Sequence, residues 1–290
     1  MRGQELSLLK WSGLLLVLTA LLLTGCSRSG EAGKADEAML RMEHVEPFYR
    51  SIPQILDAAG GVARKDFGAG VDADLALLRP VMEAAFKVEP MLARARQDLK
   101  AVEIGNADLS AFLLATDAFM QAQAAIEAEN KTSPDKVRQA AAEAYAQRAD
   151  KNRIENLARN MAITDIQVEG ALLGRRLQEA AAFRHVEEPA AWQRLDDQGL
   201  ENDATKFVQR TRAEGDRAYS PFRDDLLRGV AQEMLMIVLL RLPEPSLKAL
   251  EDFYSSDVGK AKRKALVAAV AAQSDADTKE MMIEYLRQLR

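Results

Sequence analysis

Only two histidines occur in this 290-residue chain, and they sit in related surroundings. His44 lies in Glu43-His44-Val45-Glu46-Pro47 and His185 in His185-Val186-Glu187-Glu188-Pro189. If the fold brought them together, the two imidazoles with Glu46 and Glu188 would offer a divalent ion mixed nitrogen and oxygen ligands. Taken separately, they read as histidines near helix ends on a solvated surface. Other chemistry is sparse. There is no G-x-x-x-x-G-K-[ST] phosphate loop, no G-x-S-x-G elbow, no H-E-x-x-H helix and no C-x-x-C pair. The pairs Asp196-Asp197 and Asp224-Asp225 are adjacent in sequence, and helix neighbours point about 100° apart, so these carboxylates do not share a site. The run Lys260–Lys264 (KAKRK) reads either as a solvated helix face or as a contact for anionic lipid headgroups.

The single cysteine carries the clearest chemical signal. Arg2 and Lys10 give the first ten residues a positive start, and an apolar run follows from Trp11 to Leu23. As a helix that run reaches roughly 20 Å at about 1.5 Å per residue, whereas a bilayer core of about 30 Å needs about 20 apolar residues. A charged start, a short apolar core and small residues after it form the layout of an export signal. The following Leu23-Thr24-Gly25-Cys26 resembles the lipobox of bacterial lipoproteins. That resemblance implies cleavage before Cys26 and lipidation of its thiol. One acyl chain anchors only marginally, at roughly 0.8 kcal/mol per buried methylene, whereas a lipoprotein cysteine carries several. Ser27 follows, with no Asp to signal inner-membrane retention, so the expected location is the outer membrane, facing the periplasm.

Removing residues 1–25 takes away Arg2, Lys10 and Glu5 and leaves a charge of about −6. Both signs are interspersed, which argues against nucleic acid as the main partner. Residues 26–34 are small and polar and read as a flexible tether. Residues 35–215 form a helical region and 216–290 a compact C-terminal helical subdomain.

The elements that must position any site are helices. Ala, Leu, Glu, Arg, Lys, Gln and Met dominate, without the alternation expected of strands. Apolar residues recur at three and four, as at Ile154, Leu157, Met161, Val168, Leu172 and Leu177. The pattern predicts helices over 35–58, 72–100, 107–130, 134–184, 190–197, 201–213, 221–241, 246–254, 258–273 and 275–289. Pro80 and Pro90 should kink or split the second. The fourth would run about 50 residues, bent at Gly170 and Gly174. Ser133-Pro134, Ser220-Pro221 and Ser274 with Asp277 supply start signals. The glycine-rich stretch 59–71 reads as a loop, and Met234–Leu242 (MLMIVLLRL) as a core helix too short to span a bilayer. The fold class is therefore all-α: a multi-helix bundle elongated by the helix over 134–184.

Residues 246–266 read SLKALEDFYSSDVGKAKRKAL. A Leu-rich helix ends at Phe253-Tyr254, and Val258-Gly259-Lys260 opens the next. This is similar to the DUF2059 family of bacterial exported proteins, whose recurring corner is FY-S-P-x-G. Here Asp257 stands at the usual proline, and Pro243 and Pro245 replace residues that are more often polar. The resemblance covers about the last 70 residues and implies a helical domain, without catalytic residues. Phe253, Tyr254, Asp257 and Gly259 form either a structural corner or a recognition surface. The functional expectation is a lipid-anchored envelope protein that binds or scaffolds, without a cofactor, meeting the membrane through its lipid and other envelope proteins through helical surfaces. Two alternatives stand beside it: an enzyme or metal-binding protein using His44 and His185, and a carrier of apolar ligands.

Overall fold

A computed structural model describes residues 31–103, 109–187, 192–215 and 224–290. Cys26, the expected export signal and Ser220-Pro221 lie outside them. Among the described residues the chain is all-α, as its composition dictates, and none of the helices is long and apolar enough to cross a membrane. The helices are α1 (Glu31–Met42), α2 (Val45–Arg50), α3 (Ile52–Phe67), α4 (Val71–Ala85), α5 (Val88–Lys100), α6 (Ser110–Thr132) and α7 (Pro134–Gln147). Then follow α8 (Lys151–Asn160), α9 (Ile163–Ala181), the single turn α10 (Phe183–Val186), α11 (Asp197–Gly215), α12 (Asp224–Leu239), α13 (Glu244–Ser255) and α14 (Asp257–Leu289).

The C-terminal helix α14 is the axis of the packing. At 33 residues it is about 50 Å long, and it lies against α4, α5, α9 and α11. Helix α9 lies in turn against α3 and α12, while α6 packs with α1, α7 and α13. The described residues 224–290 contribute to one apolar cluster with the rest of the described chain, running from Ala35 to Leu286. Within Met234–Leu242, Leu235, Val238, Leu239 and Leu242 are buried in that cluster. The outer side of α12 is bare: Leu226, Val230 and Met234, at successive four-residue steps, are exposed.

Several expected boundaries are corrected. The predicted 50-residue helix over 134–184 is interrupted at Arg148, Met161 and Ala182, so the bundle is not elongated by it. Arg148 turns extended and clamps Asp150 through two bonds of 2.7 and 2.8 Å, holding that carboxyl down at about 2. At the second break, the Ile163 N–H that opens α9 donates to Glu43 Oε2 at 2.6 Å. Gly170 and Gly174 lie within the continuous helix α9, where Phe48 and Ile55 pack against them. The predicted helix over 35–58 instead turns at His44, whose φ of 59° is left-handed. It also starts earlier, at Glu31, inside the expected tether, because Ala35, Ala38 and Met39 bury one face and the turn before them follows. Residues 59–67 are not a loop but the end of α3, and Gly60 is where Leu75 packs closest. The chain turns only at Gly68, at φ 74°, and in the 3-10 turn Gly68–Gly70. The predicted split near Pro90 falls at Phe86-Lys87, and Pro80 stays inside α4.

Helix α14 is unbroken at Ser274, which caps nothing. Ser274 is buried, its carbonyl accepts from Thr278 Oγ1 at 2.7 Å, and Asp277 accepts from the Tyr49 hydroxyl at 2.9 Å. Its neighbour Asp275 takes Arg176 from α9 and Arg212 from α11, each at 2.7 Å. A pattern that resembles a helix start is instead a polar seam between helices.

The α13–α14 corner owes its shape to one hydrogen atom. Ser256 Oγ accepts the Gly259 N–H at 3.0 Å and caps α14. A Cβ on Gly259 would fall on the Phe253 carbonyl. Gly259→Ala should therefore lower the unfolding free energy by about 3 kcal/mol or more, read from urea denaturation.

Glu43 makes a second prediction. It is fully buried, and burial lifts its carboxyl from 4.5 to about 7 against the opposing hydrogen bonds of Tyr254 and the α9 N-terminus. A raised carboxyl favours the folded state below the unfolded pKa and loses that contribution as pH rises through the folded one. At ~1.4 kcal/mol per unit, stability should fall by about 3 kcal/mol between pH 4.5 and 7. Asp277, lifted by burial to about 6, acts in the same direction. In Glu43→Gln the Glu43 part of that decline should vanish, measured as urea midpoint against pH.

Candidate functional site

The histidines do not share a site. His44 is buried, and its Nε2 faces Gln123 Oε1 on α6 at 2.6 Å; burial lowers its pKa. Glu46 is paired with Arg50 at 2.6 Å, and Glu188 lies outside the described residues. Among the described residues, no group of three or more His, Cys, Asp or Glu is placed to hold a metal ion. The corner residues Phe253, Tyr254 and Gly259 are buried, with Phe253 stacked on Phe112 at 3.8 Å, while Asp257 is exposed. In the KAKRK run, Lys262 is neither solvated nor free for lipid. It is 1% exposed and donates to Asp36 at 2.5 Å and to the Leu99 carbonyl at 3.0 Å. Arg263 pairs with Asp165.

His185 belongs to a different cluster, built around Asp74. Asp74 falls in the apolar stripe of α4, between Val71 and Leu75, and packing carries its carboxylate into the interior, where its side chain is 1% exposed. Three donors meet it there. Arg184 Nε and the Tyr285 hydroxyl (3.3 Å) donate to Oδ1, and His185 Nε2 lies 3.2 Å from Oδ2. A carboxylate only accepts, so the imidazole carries its proton on Nε2 and leaves Nδ1 free of a described partner. Burial first, and then the Asp74 charge, push the Tyr285 hydroxyl well above its ordinary range, so it stays a donor.

These groups come from distant parts of the chain. Arg184 and His185 ride on the single turn α10, just after α9 ends, while Tyr285 and Leu289 close the last turns of α14. Gly70 lies under the imidazole, where a Cβ would stand 2.9 Å from His185 Cε1. Phe67 stacks on the same ring at 5.6 Å and 23°. Beside them opens a cleft of about 340 Å³ lined by Asp74, Arg184, His185, Trp192, Gln193 and Leu289. Arg184 and His185 keep 38% and 28% of their side chains exposed, so both face solvent while anchored from behind. The Trp192 indole is 4% exposed, and its N–H has no acceptor among the described residues.

The arrangement orients polar groups at the mouth of a small open cleft whose described lining is mixed, with Trp192 and Leu289 as its apolar members. Sequence reasoning singled out His185 but missed Asp74, Arg184, Trp192 and Tyr285. A usable signal existed for Asp74, a charged residue within an i, i+3, i+4 apolar stripe. No family model, curated protein or solved structure matches this chain.

Two substitutions test the cluster. Asp74→Asn should reduce unfolding free energy by about 1–3 kcal/mol, because it weakens charge-assisted bonds to groups that partly resolvate. Gly70→Ala should displace the imidazole and shift its ring resonances in NMR spectra while leaving the helical circular dichroism unchanged.

Proposed function

We propose that this chain is a lipid-anchored binding protein of the bacterial cell envelope, tethered through Cys26 and holding a small molecule in the Asp74–Arg184–His185 cleft. The observation that carries the reading is the cleft itself. A buried carboxylate fixes two side chains of basic type at its mouth while each still faces solvent. The tether is supported by Leu23-Thr24-Gly25-Cys26 after a short apolar run that follows a positively charged start. The expected outer-membrane location, facing the periplasm, belongs to this proposal, as does a family relation of residues 246–266 to DUF2059. A scaffolding role draws on the exposed row Leu226, Val230 and Met234, the kind of helix face that meets another helix.

Two experiments decide it. Cys26→Ser should abolish metabolic incorporation of labelled fatty acid and shift the chain out of detergent-extracted membranes; continued labelling would refute the tether. For the cleft, a panel of anionic, neutral and cationic small molecules is screened by thermal unfolding of the full chain. At least one compound should raise the midpoint in the wild type and fail to do so in Asp74→Asn. A panel without such a compound would overturn the cleft as a binding site.

A further inference from the structure

Resting on the cleft as the binding site, we infer that its ligand is a small monocarboxylate with an apolar body. The carboxylate docks on the terminal nitrogens of Arg184, and the body lies against Trp192 and Leu289. The polar groups divide into those already satisfied and those still available. Among the described residues Asp74 is the one acidic group lining the cleft, and it is satisfied: Oδ1 receives Arg184 Nε and the Tyr285 hydroxyl, and Oδ2 receives His185. With its side chain 1% exposed, it offers no open oxygen to an incoming cation. Arg184 uses only Nε toward Asp74 in the described hydrogen bonds, and its side chain is 38% exposed. Its remaining nitrogens are donors without acceptor capacity, so a group that meets them must accept.

Charge and shape narrow the class further. Asp74 is already paired with Arg184, so one guanidinium face is what the described lining offers an acceptor, and that suits a single carboxylate better than a dianion such as a phosphate monoester. The flat fork of a guanidinium matches a carboxylate through two parallel bonds. Backed by Asp74, that fork is held in place before a ligand arrives, which reduces the ordering cost of binding. The remaining lining is apolar in part: the indole of Trp192 and the side chain of Leu289 stand beside the polar groups. A volume of about 340 Å³ lies at the small end of ligand sites, enough for an aromatic or short aliphatic acid.

The chain has a built-in reporter for the test. It holds two tryptophans, Trp11 and Trp192; cleavage before Cys26 removes Trp11, and in an uncleaved chain Trp11→Phe does the same, so Trp192 is the sole indole emitter in either form. The full chain carrying Trp11→Phe, in detergent, is titrated with 3-phenylpropionate, octanoate, 3-phenylpropionamide and phenethylammonium while Trp192 emission is followed. At least one of the two carboxylates should give a saturable change, and the amide and the ammonium should bind at least tenfold more weakly than 3-phenylpropionate if the ring is accepted. Preference for the phenyl over the aliphatic acid, or the reverse, identifies the body. Arg184→Gln should weaken binding by tenfold or more. Arg184→Lys keeps the Asp74 pair and serves if the first variant misfolds; it should also lose affinity, because an ammonium lacks the fork. Equal binding of amide and acid, or preferred binding of the ammonium, would overturn the carboxylate while leaving a binding cleft. Silence from all four probes would overturn it as well; the Asp74→Asn thermal screen then decides separately whether the cleft binds anything.

Discussion

A buried carboxylate at position 43 holds the architecture in register. One oxygen of Glu43 takes the N–H that opens α9, and the other takes the Tyr254 hydroxyl at the end of α13, so a single side chain joins segments more than a hundred residues apart. Neither contact would exist if α1 ran on in a straight line. The left-handed turn at His44 stops it there, and Gln123 on α6 holds the imidazole that makes the turn. A non-glycine residue in this conformation is uncommon, and surrounding packing has to hold it in place. Burial of an acid costs free energy and is tolerable only with hydrogen-bond partners close by. What this arrangement contributes is definition of where α9 starts, and therefore of which faces α9 presents to α3, α12 and α14.

The same logic recurs along the core. Arg176 on α9 is completely buried and reaches Thr211 on α11 and Asp275 on α14, while Arg212 links Glu169 to the same Asp275. Lys262 ties α14 to Asp36 on α1 and to the last turn of α5. Buried ion pairs of this type add little net stability over apolar packing, because desolvation offsets their attraction. Their geometry is demanding, however, and a helix that slid by one turn would strand a charge in the interior. In a bundle lined largely by Ala, Leu and Met, whose surfaces are otherwise interchangeable, such pairs select one alignment. Asp74 is a member of this set with a difference: its partners Arg184 and His185 remain open to solvent, so what is a structural joint elsewhere becomes the back wall of a cleft.

Much of the fold was legible beforehand. Helical composition and three-and-four periodicity require an all-α chain, and the short break between α13 and α14 follows from Ser256 ahead of Gly259. The errors share one cause. Ser274 and Asp277 look like a cap, and Gly60-Gly61 look like a loop, because local rules assume that a polar or glycine residue is serving its own backbone. In the folded chain Asp277 serves Tyr49, and Gly60 makes room for Leu75. Conversely, the breaks inside 134–184 have no strong local signal at Met161, since the group that caps the following helix comes from Glu43. Charged residues within apolar stripes (Asp74, Arg176, Lys262) were visible as such and were the best available pointers to buried polar joints.

By itself the sequence determined the helical class, the single cysteine and the scarcity of histidines. These depend on residue type and on spacings within a few turns, over which backbone geometry is fixed. Only the tertiary structure decided that the two histidines serve different neighbours, that KAKRK is partly interior, and that Asp74, Arg184, His185, Trp192 and Tyr285 meet at one cleft. The reason is distance: those residues span more than two hundred positions, and their meeting depends on the packing of α4, α10 and α14, which no local periodicity encodes.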